Sequence, residues 1–566
     1  MRKHLIAGLS ACLALAFVVS GCGKPQSIAD EWVTIVPSPL ESHASKVRVE
    51  VKVNYPVKYF KKKMVLTVTP ALATATDTLF TETVVYQGEK VTDNNEVVKY
   101  KVGGPYSFIS AFDYNEKFLQ ADLILKCVAT VKDKEYDLGY VTIGKGILAT
   151  SELVNFQALK PAIAPNNFQR VITEKKEAEI RFLIQQSNLR SSELSSEALA
   201  ELIKKIDEAK DAQNQEIKGL EISSYASPDG CLKLNESLAS RRDKETTKYI
   251  NRQIKKLKTE VALSNKLSAE DWDGFQSLMQ ESEIDDKEVI LRILSMYEDP
   301  EEREREIKNI SAVYKAIADE ILPQLRRSKM TLSVDVIGKS DEEIKELVKN
   351  DSQALSYEEL LYAATLFEDL DQQIAIYNQN IERNNMDWRA QNNLGVALYK
   401  QGKFADAERA FTKAVELKGD EPIANFNAGL VALANNNLTA AEEYFGKSAN
   451  VGEGLESAQG AMLIKKAEYQ KAVEVLNGEF SNNEGLAKIL VADYNAARTA
   501  LTQVANPCAK TYYLLAVVSA RVNDSNSVFE NLKKAIELDA NWKQYAAKDL
   551  EFESLFENET FQSIVK

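Results

Sequence analysis

The sequence of 566 residues predicts a multidomain fold with an N-terminal antiparallel β-sandwich, a central α/β domain with a helical insertion and a C-terminal all-α solenoid. Three observations predict it. Valine alternates with charged residues from Lys46 to Val53, a period of two that puts the valines on one face of a half-buried strand. After residue 170 the pattern becomes strand, helix, strand, turn and helix. From about residue 355 small and aromatic residues recur at an offset of 34, the mark of a helical repeat.

The chain opens with Arg2 and Lys3, an apolar stretch from Leu5 to Val19 and small residues before Cys22. This is the order of a secretory leader, and the stretch falls short of the roughly 20 residues a spanning helix needs. Residues 1–21 are read as leader and 22–44 as a tether. Val19-Ser20-Gly21-Cys22 resembles the lipobox of bacterial lipoproteins, which implies lipid attachment at Cys22 and a chain tethered to the membrane without crossing it. No aspartate follows the cysteine and no acidic cluster lies near it; within that family this implies the outer membrane, on its periplasmic face.

About 545 residues follow the leader, room for several domains of roughly 100–200 residues each. A formal charge of −14 gives phosphate no overall attraction, so nucleic acid is not an expected partner. Lys61, Lys62 and Lys63 form the one tight basic run near a strand and read as a solvated hairpin edge. Once Cys12 and Cys22 are set aside, Cys127, Cys231 and Cys508 are odd in number and far apart, neither a disulfide framework nor metal spacing. Past the leader the only histidine is His43, so a histidine pair for zinc is missing and a catalytic triad would need a tether residue. With 84 acidic residues chance carboxylate pairs are inevitable, and no Gly-rich phosphate loop stands out. The expectation is a protein that is not an enzyme, with no catalytic residues, metal or cofactor.

The β-sandwich is expected over 45–150. Its further strands are Met64–Thr69, Thr81–Tyr86, Glu96–Val102, Ala121–Val131 and Tyr136–Ile143, with turn signals at Thr92-Asp93-Asn94-Asn95 and Gly103-Gly104-Pro105. The α/β domain, 170–350, has strands at Ile180–Ile184 and Ile217–Ser224 around an amphipathic helix at Ser195–Lys210. The second strand runs into Ser224-Tyr225-Ala226-Ser227-Pro228-Asp229-Gly230, and a helix with Asn235, Leu238, Arg241 and Arg242 follows. This arrangement resembles the OmpA-like domain of Bacteroidetes-type outer-membrane lipoproteins. The resemblance implies a peptidoglycan site in which an aspartate and an arginine hold the zwitterionic diaminopimelate. Asn235 and Arg242 match that pattern, whereas Ser227 stands where the aspartate belongs and Asp229 lies two residues on. A serine accepts a hydrogen bond without neutralising an ammonium, a difference of ~1.5–3 kcal/mol. A charged helical insertion is expected at about 264–327, before a closing strand at Met330–Ile337.

In the third region Leu394-Gly395, Ala407, Phe411 and Ala414 recur as Ala428-Gly429, Ala441, Phe445 and Ser448, with looser copies on either side. The pattern resembles tetratricopeptide repeats (TPR), in which small residues let paired helices touch. The array is placed at 355–548 and a C-terminal tail at 549–566. The resemblance implies a concave groove presenting Arg389, Asn392, Val396, Tyr399, Ile423, Phe426, Leu430 and Leu433 to an extended or helical partner segment. The reading that follows is a lipid-anchored envelope scaffold recruiting protein partners through this groove, in an outer-membrane assembly, secretion or fimbrial complex. The alternative is a peptidoglycan-binding tether between outer membrane and wall.

Overall fold

The computed structural model describes residues 24–566 except 157, 158, 229 and 453. The leader, the lipid-attachment cysteine Cys22 and Asp229 lie outside the described residues. The chain forms two compact units. One runs to Pro165 and resumes at Gln373; the other spans Asn166–Gln372.

The first unit begins with eleven strands: β1 Val33–Val36, β2 Leu40–His43, β3 Lys46–Tyr55, β4 Met64–Ala73, β5 Thr78–Phe80, β6 Val84–Gly88, β7 Glu96–Val98, β8 Gly104–Asp113, β9 Asp122–Val131, β10 Lys134–Lys145 and β11 Ile147–Leu148. One sheet has the order β1-β3-β2-β11 with β8 also on β3; the other has the order β10-β9-β4-β6-β7 with β5 on β4. The alternation in β3 does what its period dictates. Val47, Val49, Val51 and Val53 are buried in one core with Leu66 and Val68 of β4 and Leu123 and Leu125 of β9. Two expectations change here. Residues 33–43 are not tether: β1 pairs antiparallel with β3 from Val33↔Val53 to Val36↔Glu50, and His43 closes β2. Gly103-Gly104-Pro105, read only as a turn, leads straight into β8, which pairs with β3 from Tyr55↔Gly104 to Lys46↔Asp113.

The second unit holds β12 Val171–Arg181, β13 Gln215–Ala226, β14 Leu263–Glu270 and β15 Arg327–Ile337, in the order β12-β15-β13-β14. β13 and β14 are parallel, and β15 runs antiparallel to both its neighbours. The helices Glu197–Asp211 and Leu232–Lys256 supply Leu199, Leu202, Ile206, Ile250 and Ile254 to the core over this sheet. The helical insertion starts later than expected, at Trp272, because residues 263–270 are strand β14; its helices build a core of their own around Phe275, Met279, Ile290 and Leu325. The unit also extends past 350. Helices Asp341–Asn350 and Tyr357–Ala363 each start at a capping box, Ser340 with Glu343 and Ser356 with Glu359. Tyr357–Ala363, expected to open the repeats, therefore belongs to this unit.

In the first unit five helix pairs follow one another: Trp388–Lys400 with Phe404–Leu417, Pro422–Ala434 with Leu438–Gly446, Leu455–Lys465 with Tyr469–Leu476, Asn482–Leu490 with Tyr494–Thr502, and Ala509–Arg521 with Ser525–Leu538. The 34-residue signature is a contact within each pair. A Cβ on Gly395 would lie 2.5 Å from the Phe411 ring, and one on Gly429 would lie 2.5 Å from that of Phe445. Residues 549–566 are not a tail: Phe552 and Phe561 are buried, closing the last repeat beside Tyr513, which stacks on Trp542 at 4.2 Å. Replacing Gly429 by valine drives a branched side chain into Phe445. We expect the urea midpoint of helix loss to fall, with a cost of about 2–3 kcal/mol, and Phe445→Leu to restore part of it.

Candidate functional site

Between β11 and the boundary of the first unit, the described residues of 149–165, all but 157 and 158, have no periodicity and almost no secondary structure, only a 3-10 turn at Thr150–Leu153. They lie along the repeat array as a strap. Three asparagines hold it by its backbone. The Asn155 N–H donates to Asn483 Oδ1 (2.7 Å) while Asn483 Nδ2 donates to the Asn155 carbonyl (3.1 Å). Asn427 does the same at Ala162 (2.7 and 2.7 Å) and Asn393 at Ala164 (2.7 and 3.1 Å). Each amide thus treats one residue as a neighbouring β-strand would. Asn392 adds a second bond to the Ala162 carbonyl (3.1 Å) and accepts from Asn427 Nδ2 (2.8 Å). Leu153, Val154 and Leu159 join the apolar core of the array with Phe426, Leu430 and Leu433. The strap runs against the order of the repeats, its early residues on late repeats.

Charged groups fix where the strap begins. Lys465 Nζ lies 2.6 Å from Glu152, which also accepts from Ser42 Oγ at 2.8 Å. The Thr150 hydroxyl donates to Glu551, whose carboxylate accepts from Arg521 Nε (2.6 Å) and Nη2 (2.9 Å). His43 Nδ1 lies 2.6 Å from the Tyr469 hydroxyl.

The eight expected groove residues divide by role. Asn392, Phe426, Leu430 and Leu433 face a groove that the chain itself fills. Val396 instead packs between repeats on Ala407, Phe411, Ala428 and Val431, with Tyr399 at the margin of that cluster and edge-on to Phe404 at 5.1 Å. Arg389 forms a forked pair with Asp387, and Ile423 is half-buried. Asn393, Asn427 and Asn483 were absent from the expectation, yet each stands two residues before a repeat glycine, Gly395, Gly429 or Gly485. That shared phase is the signal by which they could have been found.

In the second unit Arg242 is 1% exposed. Its guanidinium donates to the carbonyls of Tyr225 (2.8 Å), Gln186 (3.0 Å) and Leu183 (3.4 Å) and lies over the Phe182 ring. Ser227 Oγ accepts from Arg326 Nε at 3.1 Å. Asn235 Nδ2 donates to the Gly230 carbonyl and to Glu270, both at 3.0 Å; burial raises the pKa of Glu270 against the pull of Asn235 and Trp272. Among the described residues no group of three or more histidines, cysteines or carboxylates could hold a metal ion, and no helix is long and apolar enough to cross a membrane.

The tetratricopeptide repeat family matches residues 369–415 and 392–449, within the C-terminal helices, which carry TPR repeats. Similar solved structures include the APC/C hetero-tetramer Cut9-Hcn1, with 15% identity, 40% of this chain, 45% of that one and a TM-score of 0.33. A tetratricopeptide repeat protein from Parabacteroides merdae matches with 14% identity over 40% of this chain and 89% of its own, TM-score 0.30. PilW, a type IV pilus biogenesis factor, matches with 12% identity over 40% and 98%, TM-score 0.27. The match spans less than half of the Cut9-Hcn1 chain. No curated protein matches the sequence.

Asp549, 2% exposed, accepts from the Tyr513 hydroxyl at 2.5 Å and from the Glu551 N–H at 3.0 Å. Burial, then the charge of Glu551, pushes its pKa up to about 6. The folded chain therefore binds this proton more tightly than the unfolded one. The resulting stability is complete below the ordinary aspartate range and is lost as pH rises through about 6. Thermal unfolding followed from about pH 4 to about pH 8 should show this loss, about 1–3 kcal/mol, and Asp549→Asn should flatten it.

Proposed function

We propose that this chain is a non-enzymatic scaffold of the bacterial envelope, anchored by lipid on Cys22 at the periplasmic face of the outer membrane, whose repeat array recruits partners by gripping extended polypeptide. One observation carries the reading: Asn393, Asn427 and Asn483 each bind both the N–H and the carbonyl of a single strap residue. Such a groove recognises extended backbone as such, and the strap is its resident occupant. A partner segment gains the site by exchange. A labelled peptide with the sequence of Leu153–Pro165 tests this. Ala162→Pro with Ala164→Pro removes two clamped N–H donors from the strap and leaves the groove intact, so that variant should bind the peptide at least about tenfold more tightly than the unaltered chain. Adding Asn393→Ala and Asn427→Ala should abolish the gain. Equal anisotropy titrations for all three chains would sink the exchange reading. The anchor is tested separately by palmitate labelling of cells, which Cys22→Ala should eliminate.

A second reading, a peptidoglycan tether, is favoured by Glu270 and Arg326. These groups of opposite charge hydrogen-bond Asn235 and Ser227, two of the residues carried over from the OmpA-like pattern. In this reading Glu270 supplies the negative charge that Ser227 lacks, and Arg242 holds the backbone around it. Arg326→Ala should then reduce cosedimentation with isolated peptidoglycan while the fold melts as before, whereas Arg242→Ala should destabilise the unit by removing three buried hydrogen bonds and the guanidinium packed on Phe182. Undiminished cosedimentation of a folded Arg326→Ala chain would overturn that assignment.

A further inference from the structure

One end of the β-sandwich gathers the loops 56–63, 88–95 and 99–103. The Lys58 N–H donates to the Tyr100 carbonyl and the Lys90 N–H to the Lys62 carbonyl, both at 2.7 Å. Gly103, in the left-handed region at φ +60°, sits so close to the Tyr55 carbonyl that a Cβ would come within 2.2 Å of it. The joined loops carry six exposed lysines, Lys58, Lys62, Lys63, Lys90, Lys99 and Lys101, in a chain whose formal charge is −14. Lys62 pairs with Glu89 at 3.1 Å, and the other five form no ion pair among the described residues. The same loops contain one other carboxylate, Asp93, and Glu96 opens the adjoining strand β7. Val57 and Val102 stand among the lysines 57% and 62% exposed, where a merely solvated edge would carry polar residues.

A separate observation says what this end faces. The Tyr59 hydroxyl, in the first of these loops, donates to the Gln26 carbonyl at 3.0 Å, and Trp32 packs edge-on to Tyr59 at 5.2 Å. The chain therefore enters the sandwich at this end. Cys22 precedes Gln26 by four residues, a reach of at most about 14 Å.

We propose that this end of the sandwich docks on an anionic phospholipid bilayer, its lysines on the headgroup phosphates and Val57 and Val102 in the interface. Lysines near such a surface each strengthen binding about fivefold, and the apolar side chains add contact that salt does not screen. An acidic protein partner would use the charge but has no need of the tether's position. The proposal rests on the anchored reading for its biological setting, and its test needs no lipid on the protein.

The test is flotation of residues 24–566, which contain every described core and lack the leader. The chain should float with phosphatidylcholine vesicles containing phosphatidylglycerol and stay behind with phosphatidylcholine alone. Lys63→Glu with Lys99→Glu and Lys101→Glu should lower the partition on the order of a hundredfold or more. Val57→Ser with Val102→Ser should lower it by roughly tenfold at high salt. Lys400→Glu with Lys413→Glu and Lys533→Glu, the same charge change on the repeats, should float like the unaltered chain, and unchanged circular dichroism melts show that the variants fold. No flotation on anionic vesicles at low salt, equal flotation on neutral ones, or undiminished flotation of the loop-lysine variant would overturn the proposal. Failure of palmitate labelling with vesicle binding intact would remove the anchor and leave the docking face.

Discussion

A peptide group that leaves water must find a donor and an acceptor, and on this protein the rule decides where the described residues of 149–165 can lie. Sinking Leu153, Val154 and Leu159 into the repeats carries the neighbouring backbone out of solvent. Each backbone group left unsatisfied there costs about 1–3 kcal/mol, comparable to what one buried leucine contributes. Asn393, Asn427 and Asn483 remove that cost because a carboxamide presents an acceptor and a donor in the spacing of a peptide bond. The dependence is mutual. These amides are almost fully buried, and without the strap their polar atoms would need water in its place. Strap and array are therefore one cooperative structure, and because β11 ends where the strap begins, the sandwich is fixed to the repeats within the same unit.

Charge sets the register of that attachment. Glu152 and Lys465 are both largely shielded from water, as is Glu551 beside the more exposed Arg521, and desolvation offsets much of the Coulomb attraction in each pair. Such pairs add little net stability, but mismatching them leaves a buried charge uncompensated. A strap displaced by one residue would separate Glu152 from Lys465 and take Ala162 and Ala164 off their asparagines together. Direction and register are thus specified by penalties, while the apolar side chains supply the attraction.

What could be read from the sequence follows from which forces are local. The valines of β3 and the 34-residue recurrence were legible because each repeats at the period of its own element, and the glycine and phenylalanine positions meet as that spacing requires. Strands β1 and β2 were hidden behind prolines, and β8 behind Gly103-Gly104-Pro105, because strand pairing is nonlocal and a turn signal marks only where a strand starts or stops. The strap had no period to detect, since its conformation is imposed by the groove. Arg242 shows a further limit: its place in a motif says nothing about whether the guanidinium faces a ligand or, as here, the carbonyls of Leu183, Gln186 and Tyr225.

The strap also shows what a competing segment must look like. The clamped residues 162 and 164 are both alanine, small enough to let an amide reach the backbone, and they alternate with Pro161, Ile163 and Pro165. Proline has no N–H, so it fits where no asparagine asks for one, and its fixed φ holds the chain extended before binding, which lowers the entropy lost on docking. Ile163, 47% exposed, faces away from the clamps. At the Asn393 and Asn427 clamps the strap therefore places small residues at alternate positions, with proline only between them. A segment with proline one residue out of step would lose both clamped donors at once, a penalty large enough to exclude it whatever its other contacts.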